Sequence, residues 1–600
     1  MAPQQLRNPN RQVRCRRLED RVKTAFGFVL IGLAEIAIFF NTPRHFFTGD
    51  TVAWMGYRYR SFAEFLEGFT RIDEAAWYRP LAQKTLGSAL FPFAGLNPVP
   101  YRFAGFLLFF ACTIGVFLFA RYVSESPRIA WLATLFFAPH VTHVFVTYDV
   151  AFTPELLFTI FFIGSALLYA VYLRNHEGRW LAGSAASFTG ALLSKETAVA
   201  LPWVLVIVWL LLPRKERGSA RSFAPHFAIL GLYLLFAIGF LHIRDIHFRQ
   251  LIERPGRAGQ PGYELVLGRN MAESIDVASG WVFAIPRATY TEDMIPARWM
   301  LAALKVIRAI VCVGAVFVLF TPQRKIMCIG IGWFLMTLLP TLPLLGHFLP
   351  YYLFAPLVGF ALAAGTVIDW LYTQSSRVMP GLGFASSAVL LTLSAGIQAA
   401  AANKMAVSHS VLGESARHND NAVRDLRALH PVIPRNTVIV VFNEEYPPLS
   451  WDLSGDALFQ MAYDDLSLKT RYSADGLRSL EGYDRDHLLA LKWTNSHLVD
   501  WTSFVNQWPD LLSPHAPGEF YQMESGDDGI YIPQLADQAV LVLYAKDGEV
   551  QTPLTVKLDG HGKAAFPTGW PQGPGIYTFL AIRREAGIGW VTVSKSITVR

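Results

Sequence analysis

Three short stretches hold the residues whose chemistry stands out: "TGDTVAW" around Asp50, "WYRPL" ending at Leu81, and "LLSKETAVA" around Lys195 and Glu196. A carboxylate such as Asp50 can take a proton from an attacking hydroxyl, or hold a hard divalent metal such as Mg or Mn. The arginine of "WYRPL", Arg79, carries a planar fork of donors that matches phosphate oxygens, and Tyr78 stands next to it. Each has a plainer reading. Asp50 can be a solvated loop acid, and Arg79 beside aromatics can anchor lipid headgroups. Lys195 and Glu196 can pair with each other as a structural ion pair.

More ionisable groups lie in or beside apolar runs: His140, His143, Asp149 and Glu155. Ionisable side chains in a membrane are costly and mark functional sites by default. Arg244, Arg249, Arg254 and Arg257 form a basic cluster later on, partly neutralised by Asp245 and Glu253. An anionic substrate would account for it.

What must position these residues is a membrane domain. The chain has 600 residues, 52% of them apolar, with formal charge +6. From about 24 to 402, apolar runs alternate with short polar turns; from 403 onward the composition is that of a water-exposed protein. A bilayer core needs ~20 apolar helical residues, and by that template the runs read as about eleven spans. They lie near 24–41, 99–120, 129–145, 151–173, 180–194, 198–212, 225–242, 299–320, 325–343, 351–371 and 380–402. Before the first stand Arg7, Arg11, Arg14, Arg16, Arg17, Arg21 and Lys23, against Glu19 and Asp20. Basic flanks stay in the cytoplasm, so the N-terminal tail 1–23 is expected there. The turns with Arg121/Arg128, Arg174/Arg179, Arg214/Arg221 and Arg324/Lys325 then face the same side. The loops about 42–98 and 243–298, and everything after 403, are expected on the opposite, periplasmic side.

The first run is long for a cleaved signal peptide and lacks a small-residue cleavage site, so it is read as a retained span. The basic tail is an orientation signal rather than a nucleic-acid arm. None of the four cysteines falls after residue 403, so the exported part is expected to fold without disulfides. No Asn-x-Ser/Thr acceptor occurs, which suits a bacterial inner membrane.

In the first loop, Phe62, Phe65, Leu66 and Phe69 are spaced as one face of an interfacial helix. The exported part reads as an α/β region over 403–512, a Pro-rich linker near 509–520, and a β-sandwich over 520–600. The fold class expected is therefore a polytopic all-α membrane domain followed by an extracytoplasmic α/β plus β-sandwich region.

The ordered motifs "TGDTVAW", "WYRPL", "APHVTHVFVTYD", "LLSKETAV" and "FLPYYLFAPLVGFAL" resemble the GT-C membrane glycosyltransferases. The likeness is to the protein O-mannosyltransferase relatives and proteins sharing the "YRPL" loop, and it covers about 44–368. It implies an inverting transferase that moves a sugar from a polyprenyl-phosphate donor to a hydroxyl of a protein, lipid or glycan. Asp50 matches the acidic position, with Asp149 as a second candidate catalytic carboxylate. Tyr78, Arg79, Lys195, Arg244 and Arg249 are candidates for the donor phosphate, and Glu196, His143 and Tyr352 for support. Asp50 is also the candidate metal ligand. Two departures stand out. Asp50 is followed by Thr51 where relatives often have a second acid, and His143 stands where they commonly have a glutamate.

Two other classes share the same features: a transporter or lipid flippase, and a non-catalytic envelope protein whose tail binds glycans. Paired halves with broken helices would mark a transporter, and the sequence shows no such internal symmetry.

Overall fold

The computed structural model describes residues 9–39, 45–70, 78–212, 219–243, 264–286, 297–345, 348–408, 410–443, 446–477, 485–507, 512, 522–526, 529–531, 537, 539–546, 549–550, 554–565, 575–582, 593–594 and 597–599. The chain forms two compact units. The first comprises Met1–His45, Arg58–Pro92 and Pro98–Gly413; the second comprises Phe46–Tyr57, Phe93–Asn97 and Glu414–Arg600. The second thus takes in two short pieces from the expected first loop, and begins later than the expected change at 403.

The first unit is helical. Pro98–Ser124, Val150–Asn175, Arg298–Val318, Pro350–Val378 and Leu382–Val407 are each long and apolar enough to cross a membrane, and the bent pair Pro127–Phe137 with Val141–Tyr148 makes a sixth if counted as one span. This is an integral membrane protein. Where they are described, the eleven expected runs fall on helices, yet among the described residues five or six helices qualify by length and composition. Gly178–Ser194 and Arg324–Leu338, for example, have only 17 and 15 residues.

The helix Pro350–Val378 sits deepest, with 83% of its apolar stretch buried, against 28% for Arg298–Val318. Small residues let its neighbours approach closely, as in membrane helix pairs generally. A Cβ on Gly359 would lie 2.5 Å from the Gly330 carbonyl oxygen, and one on Gly330 would lie 2.6 Å from that of Gly359. Gly365 meets the Ala133 backbone nitrogen at 2.7 Å in the same sense.

The 59° bend between Pro127–Phe137 and Val141–Tyr148 has a sequence cause. Pro139 has no N–H to continue the helical ladder. The backbone groups freed there find side chains instead. The Val141 amide donates to Gln398 Oε1 at 2.9 Å, and His140 Nδ1 caps the Thr142 amide.

In the first loop, the expected interfacial helix is Phe62–Glu67, started by Ser61, whose Oγ accepts from the Glu64 amide at 3.1 Å. Phe62 and Leu66 on it are exposed.

The second unit contains a four-stranded sheet in the order Lys469–Tyr472, Val438–Phe442, Leu488–Thr494, His497–Asp500. The first three strands run parallel and the last antiparallel. Every residue of Val438–Phe442 is buried, as a central parallel strand covered on both faces requires. Where a sandwich is expected, the chain forms two further sheets. One is built on Ala539–Lys546 and Gly575–Ile582, the other on Gln522–Gly526 and Gly529–Tyr531. All of the expected linker except Leu512 lies outside the described residues.

Filling the close helix contact should be costly. Gly359→Leu is expected to destabilise by about 1–3 kcal/mol, as overpacking does elsewhere. The check is a lowered Tm in detergent relative to an exposed-face control, Leu118→Ala; equal Tm values would contradict the close approach.

Candidate active site

The "YRPL" segment and the "SKE" turn meet in the first unit. The Leu81 amide donates to the Leu193 carbonyl at 3.2 Å, and the Arg79 guanidinium grips Glu196 with both prongs, Nε to Oε2 at 2.8 Å and Nη2 to Oε1 at 2.6 Å. Arg79 Nη1 also donates to Gln83 Oε1 at 3.1 Å. Tyr78 fixes the segment from its other side: its hydroxyl donates to the Phe69 carbonyl at 2.9 Å, and its ring lies 4.9 Å from that of Phe236.

The helix Gly178–Ser194 stops at Lys195, whose extended backbone (φ −160°, ψ 138°) turns the chain into a short helical turn beginning at Glu196. The two adjacent charges are thereby sent to different partners. Lys195 does not pair with Glu196, the alternative that the sequence leaves open. Its ammonium bonds Glu155, in the first turn of the helix Thr153–Asn175. The Lys195 ammonium also lies 5.0 Å from the Tyr352 ring centre and 5.8 Å from that of Tyr351, within cation–π range. Tyr352 is itself backed by Phe348 at 6.2 Å, which stacks on the buried Trp281 at 5.4 Å.

The result is a cluster of two cations and two carboxylates. Burial pushes the Lys195 ammonium well below its ordinary value, the Arg79 charge adds to this, and Glu196 pulls the other way. Burial alone would raise the Glu196 carboxyl; the charge and hydrogen bonds of Arg79, with the charge of Lys195, outweigh it and hold Glu196 at about 2. The side chains of Lys195 and Glu155 are 3% and 6% exposed, whereas Glu196 is 42% exposed, so the cluster opens to solvent on the Glu196 side. Chemically, it offers a guanidinium fork and an ammonium, each matched to a carboxylate that an incoming phosphate would have to rival.

The remaining candidates have surroundings of their own. Asp149 is buried and caps its own turn, accepting from the Ala151 amide at 2.9 Å. Its electrostatic neighbour is Arg102, a buried guanidinium that donates to the Tyr148 carbonyl. His143 is buried among the rings of Phe109, Phe137 and Phe354, with Nε2 2.9 Å from the Phe137 carbonyl oxygen, so it is a core histidine of the bent helix pair. Asp50 belongs to the second unit, in the first turn of the helix Gly49–Gly56, where a carboxylate is favoured by the helix dipole. Arg244 and Arg249 lie outside the described residues. Among the described residues, no three His, Cys, Asp or Glu side chains meet as a metal site.

Sequence reasoning gave Glu155 no task and missed Arg102 and Tyr351. Glu155 is an acid one turn into an apolar run, which is a signal; Arg102 in "YRFAGF" is another.

Residues 83–241 match the family model described as dolichyl-phosphate-mannose-protein mannosyltransferase. That stretch contains Asp149, Glu155, Lys195 and Glu196 and starts just after "YRPL". Comparison with curated proteins finds no match. Among solved structures, the chain is similar to ArnT from Cupriavidus metallidurans bound to undecaprenyl phosphate: 12% identity, 81% of this chain and 94% of that one covered, TM-score 0.47. It is also similar to the oligosaccharyltransferase AglB from Archaeoglobus fulgidus in complex with an inhibitory peptide and a dolichol-phosphate: 12% identity, 75% and 65% covered, TM-score 0.41. The chain thus resembles the GT-C membrane glycosyltransferases by its motifs and by the family model alike.

Two outcomes test the cluster. Lys195→Met, which strands the Glu155 charge, should cost about 3–5 kcal/mol, and adding Glu155→Leu should recover most of it. A double variant no more stable than the single one would mean that Glu155 is not the partner. Because Glu196 is held below its ordinary 4.5, its pair with Arg79 stabilises fully above that pH and fades as pH falls toward about 2. The Tm gap between wild type and Glu196→Gln should therefore be constant above pH 5 and close between about 4.5 and 2. A gap unchanged down to pH 2 would contradict the assignment.

Proposed function

We propose that this protein is a glycosyltransferase that takes its sugar from a polyprenyl-phosphate donor and passes it to a hydroxyl, with inversion, at the periplasmic face of a bacterial inner membrane. The observation that carries the reading is the Arg79–Glu196 and Lys195–Glu155 cluster, built by the "YRPL" and "SKE" motifs. The "SKE" half of it falls within the stretch matching a family described by a lipid-phosphate-linked mannose donor.

In this reading Arg79 and Lys195 bind the donor phosphate, Tyr78 holds Arg79 in register, and Tyr352 walls the ammonium. Arg244 and Arg249 are further candidates for the donor phosphate. Glu155 and Glu196 keep both cations charged and aimed while no donor is bound, and yield part of that bonding when the phosphate arrives. His143 supports the fold of the bent pair. Asp50 is the base that takes the acceptor proton as the hydroxyl oxygen attacks the sugar's anomeric carbon. The bond from that carbon to the phosphate oxygen breaks, and polyprenyl phosphate leaves with its negative charge met by Arg79 and Lys195. Asp149 is the second carboxylate, held by Arg102. Should a divalent metal take part, Asp50 is its candidate ligand. About eleven spans and a sandwich-like end domain belong to the same reading.

The test is transfer of label from a polyprenyl-phosphate sugar in purified membranes. Asp50→Asn should lower transfer by 10²-fold or more, the scale of a lost general base. Arg79→Lys, which keeps the charge and loses the fork, should raise the donor KM by about tenfold. Wild type inactive on a broad donor panel, but moving lipid across liposomes, would favour the transporter instead.

A further inference from the structure

Asp50 follows a short stretch whose backbone is held at Phe47 and Gly49 from a great distance along the chain. Asn419 Nδ2 donates to the Phe47 carbonyl at 2.8 Å. Ser415 Oγ accepts from the Gly49 amide at 3.2 Å. Ser454 Oγ donates to the Gly49 carbonyl at 2.5 Å. All of these residues belong to the second unit, and Ser415 and Asn419 are buried. Ser415 and Asn419 stand four apart on the helix Ser415–Leu429, so they share one face of it.

The fit is as tight in space as in hydrogen bonds. A Cβ on Gly49 would lie 2.6 Å from the Trp451 carbonyl oxygen and 3.1 Å from Asp452 Cα. At the other end of the helix Gly49–Gly56, a Cβ on Gly56 would lie 2.7 Å from that of Ala457. Asp452 is anchored in turn: buried, it meets His418 Nδ1 at 2.9 Å, and His418 lies on the same helix as Ser415 and Asn419. The first turn of a helix has amides without intrahelical partners. Here Thr48 serves that of Thr51, and Ser415 serves that of Gly49. A helix needing only to be covered by apolar contact would not require three polar side chains within three backbone residues, all beside its one acid.

We propose that Ser415, Asn419 and Ser454 are positioning residues for the Asp50 carboxylate, which makes the C-terminal unit part of the transfer machinery rather than a spacer or a separate binding module. The inference rests on Asp50 being the base. A catalytic group displaced by about 1 Å can lose on the order of 10²-fold in rate, so this backbone support is a rate determinant.

The test uses the full chain with Ser415→Ala, Asn419→Ala, Ser454→Ala and the combined Asn419→Ala/Ser454→Ala. Each single variant should lower kcat about tenfold and the combination about 10²-fold, with the donor KM within about twofold of wild type. Ser415→Thr, which keeps the hydroxyl, should restore the rate. In an Asp50→Asn background the same changes should cost nothing further, because the group they position is gone. Independently of turnover, amide exchange across Gly49–Gly56 should speed up at least about tenfold in the combined variant, while the Val438–Phe442 strand stays protected. Unchanged exchange in that helix overturns the proposal, as does full kcat in the combined variant while Asp50→Asn is impaired. If Asp50→Asn transfers at the wild-type rate, Asp50 is not the base and the rate assignment falls with it. The exchange measurement then still decides whether the three side chains hold the helix.

Discussion

A buried charge must be matched where it sits. An ammonium such as that of Lys195, at the end of a helix in an apolar bundle, costs several kcal/mol if left without a partner. Much in the first unit follows from meeting this demand twice within a few residues. Lys195 takes Glu155 from the following-helix side of the bent pair, and Arg79 takes Glu196. Three segments distant in sequence are thereby tied together: the end of the first loop, the start of Thr153–Asn175 and the "SKE" turn. Tyrosines complete the enclosure from a fourth. The arrangement is charge-balanced as it stands, so anything anionic that enters must compete with carboxylates already in place. A weak anion would gain nothing by displacing a bidentate carboxylate.

The same demand is met differently at the other ionisable groups. Asp149 spends itself on a turn and has Arg102 for a neighbour, and Asp369 has Arg128 and Gln323. Ser184 sits between Ser165 and His226. Many polar side chains in this bundle occur in such local groups. The bend at Pro139 is one more case, in which a missing amide is compensated by Gln398 and His140 reaching into the break.

Much of this was legible in the chain. Apolar runs located the long helices of the membrane part, though not Thr85–Ala94 or Arg269–Trp281 in the loops, and "YRPL" with "SKE" pointed to residues that the structure does bring into contact. What stayed hidden was pairing. Lys195 and Glu196 are adjacent in sequence, and nothing local says that the extended backbone at Lys195 sends them to different partners. Glu155 stood out as an acid in an apolar run, but nothing in the sequence named its partner. The span number was blurred because several helices fall short of a full bilayer crossing, and a run of apolar residues does not declare where a helix stops. Hardest to foresee was the grouping of Phe46–Tyr57 with a part of the chain that begins at Glu414, since its contacts are hydrogen bonds to backbone, which leave almost no trace in residue type.

That grouping has a bearing on how the molecule is made. Gly49 and Ser415 are 366 positions apart, and a hydrogen bond across such a separation cannot form until nearly the whole membrane part has been synthesised. The helix Gly49–Gly56 therefore emerges early and waits, its glycines and N-terminal amides without their eventual neighbours, through the insertion of every later helix. Completion of the second unit is a late step of biogenesis, and a chain stalled before residue 415 holds the segment bearing Asp50 in an unfinished state. The segment Phe46–Tyr57 of the first loop is thus kept from its final contacts until the last domain exists.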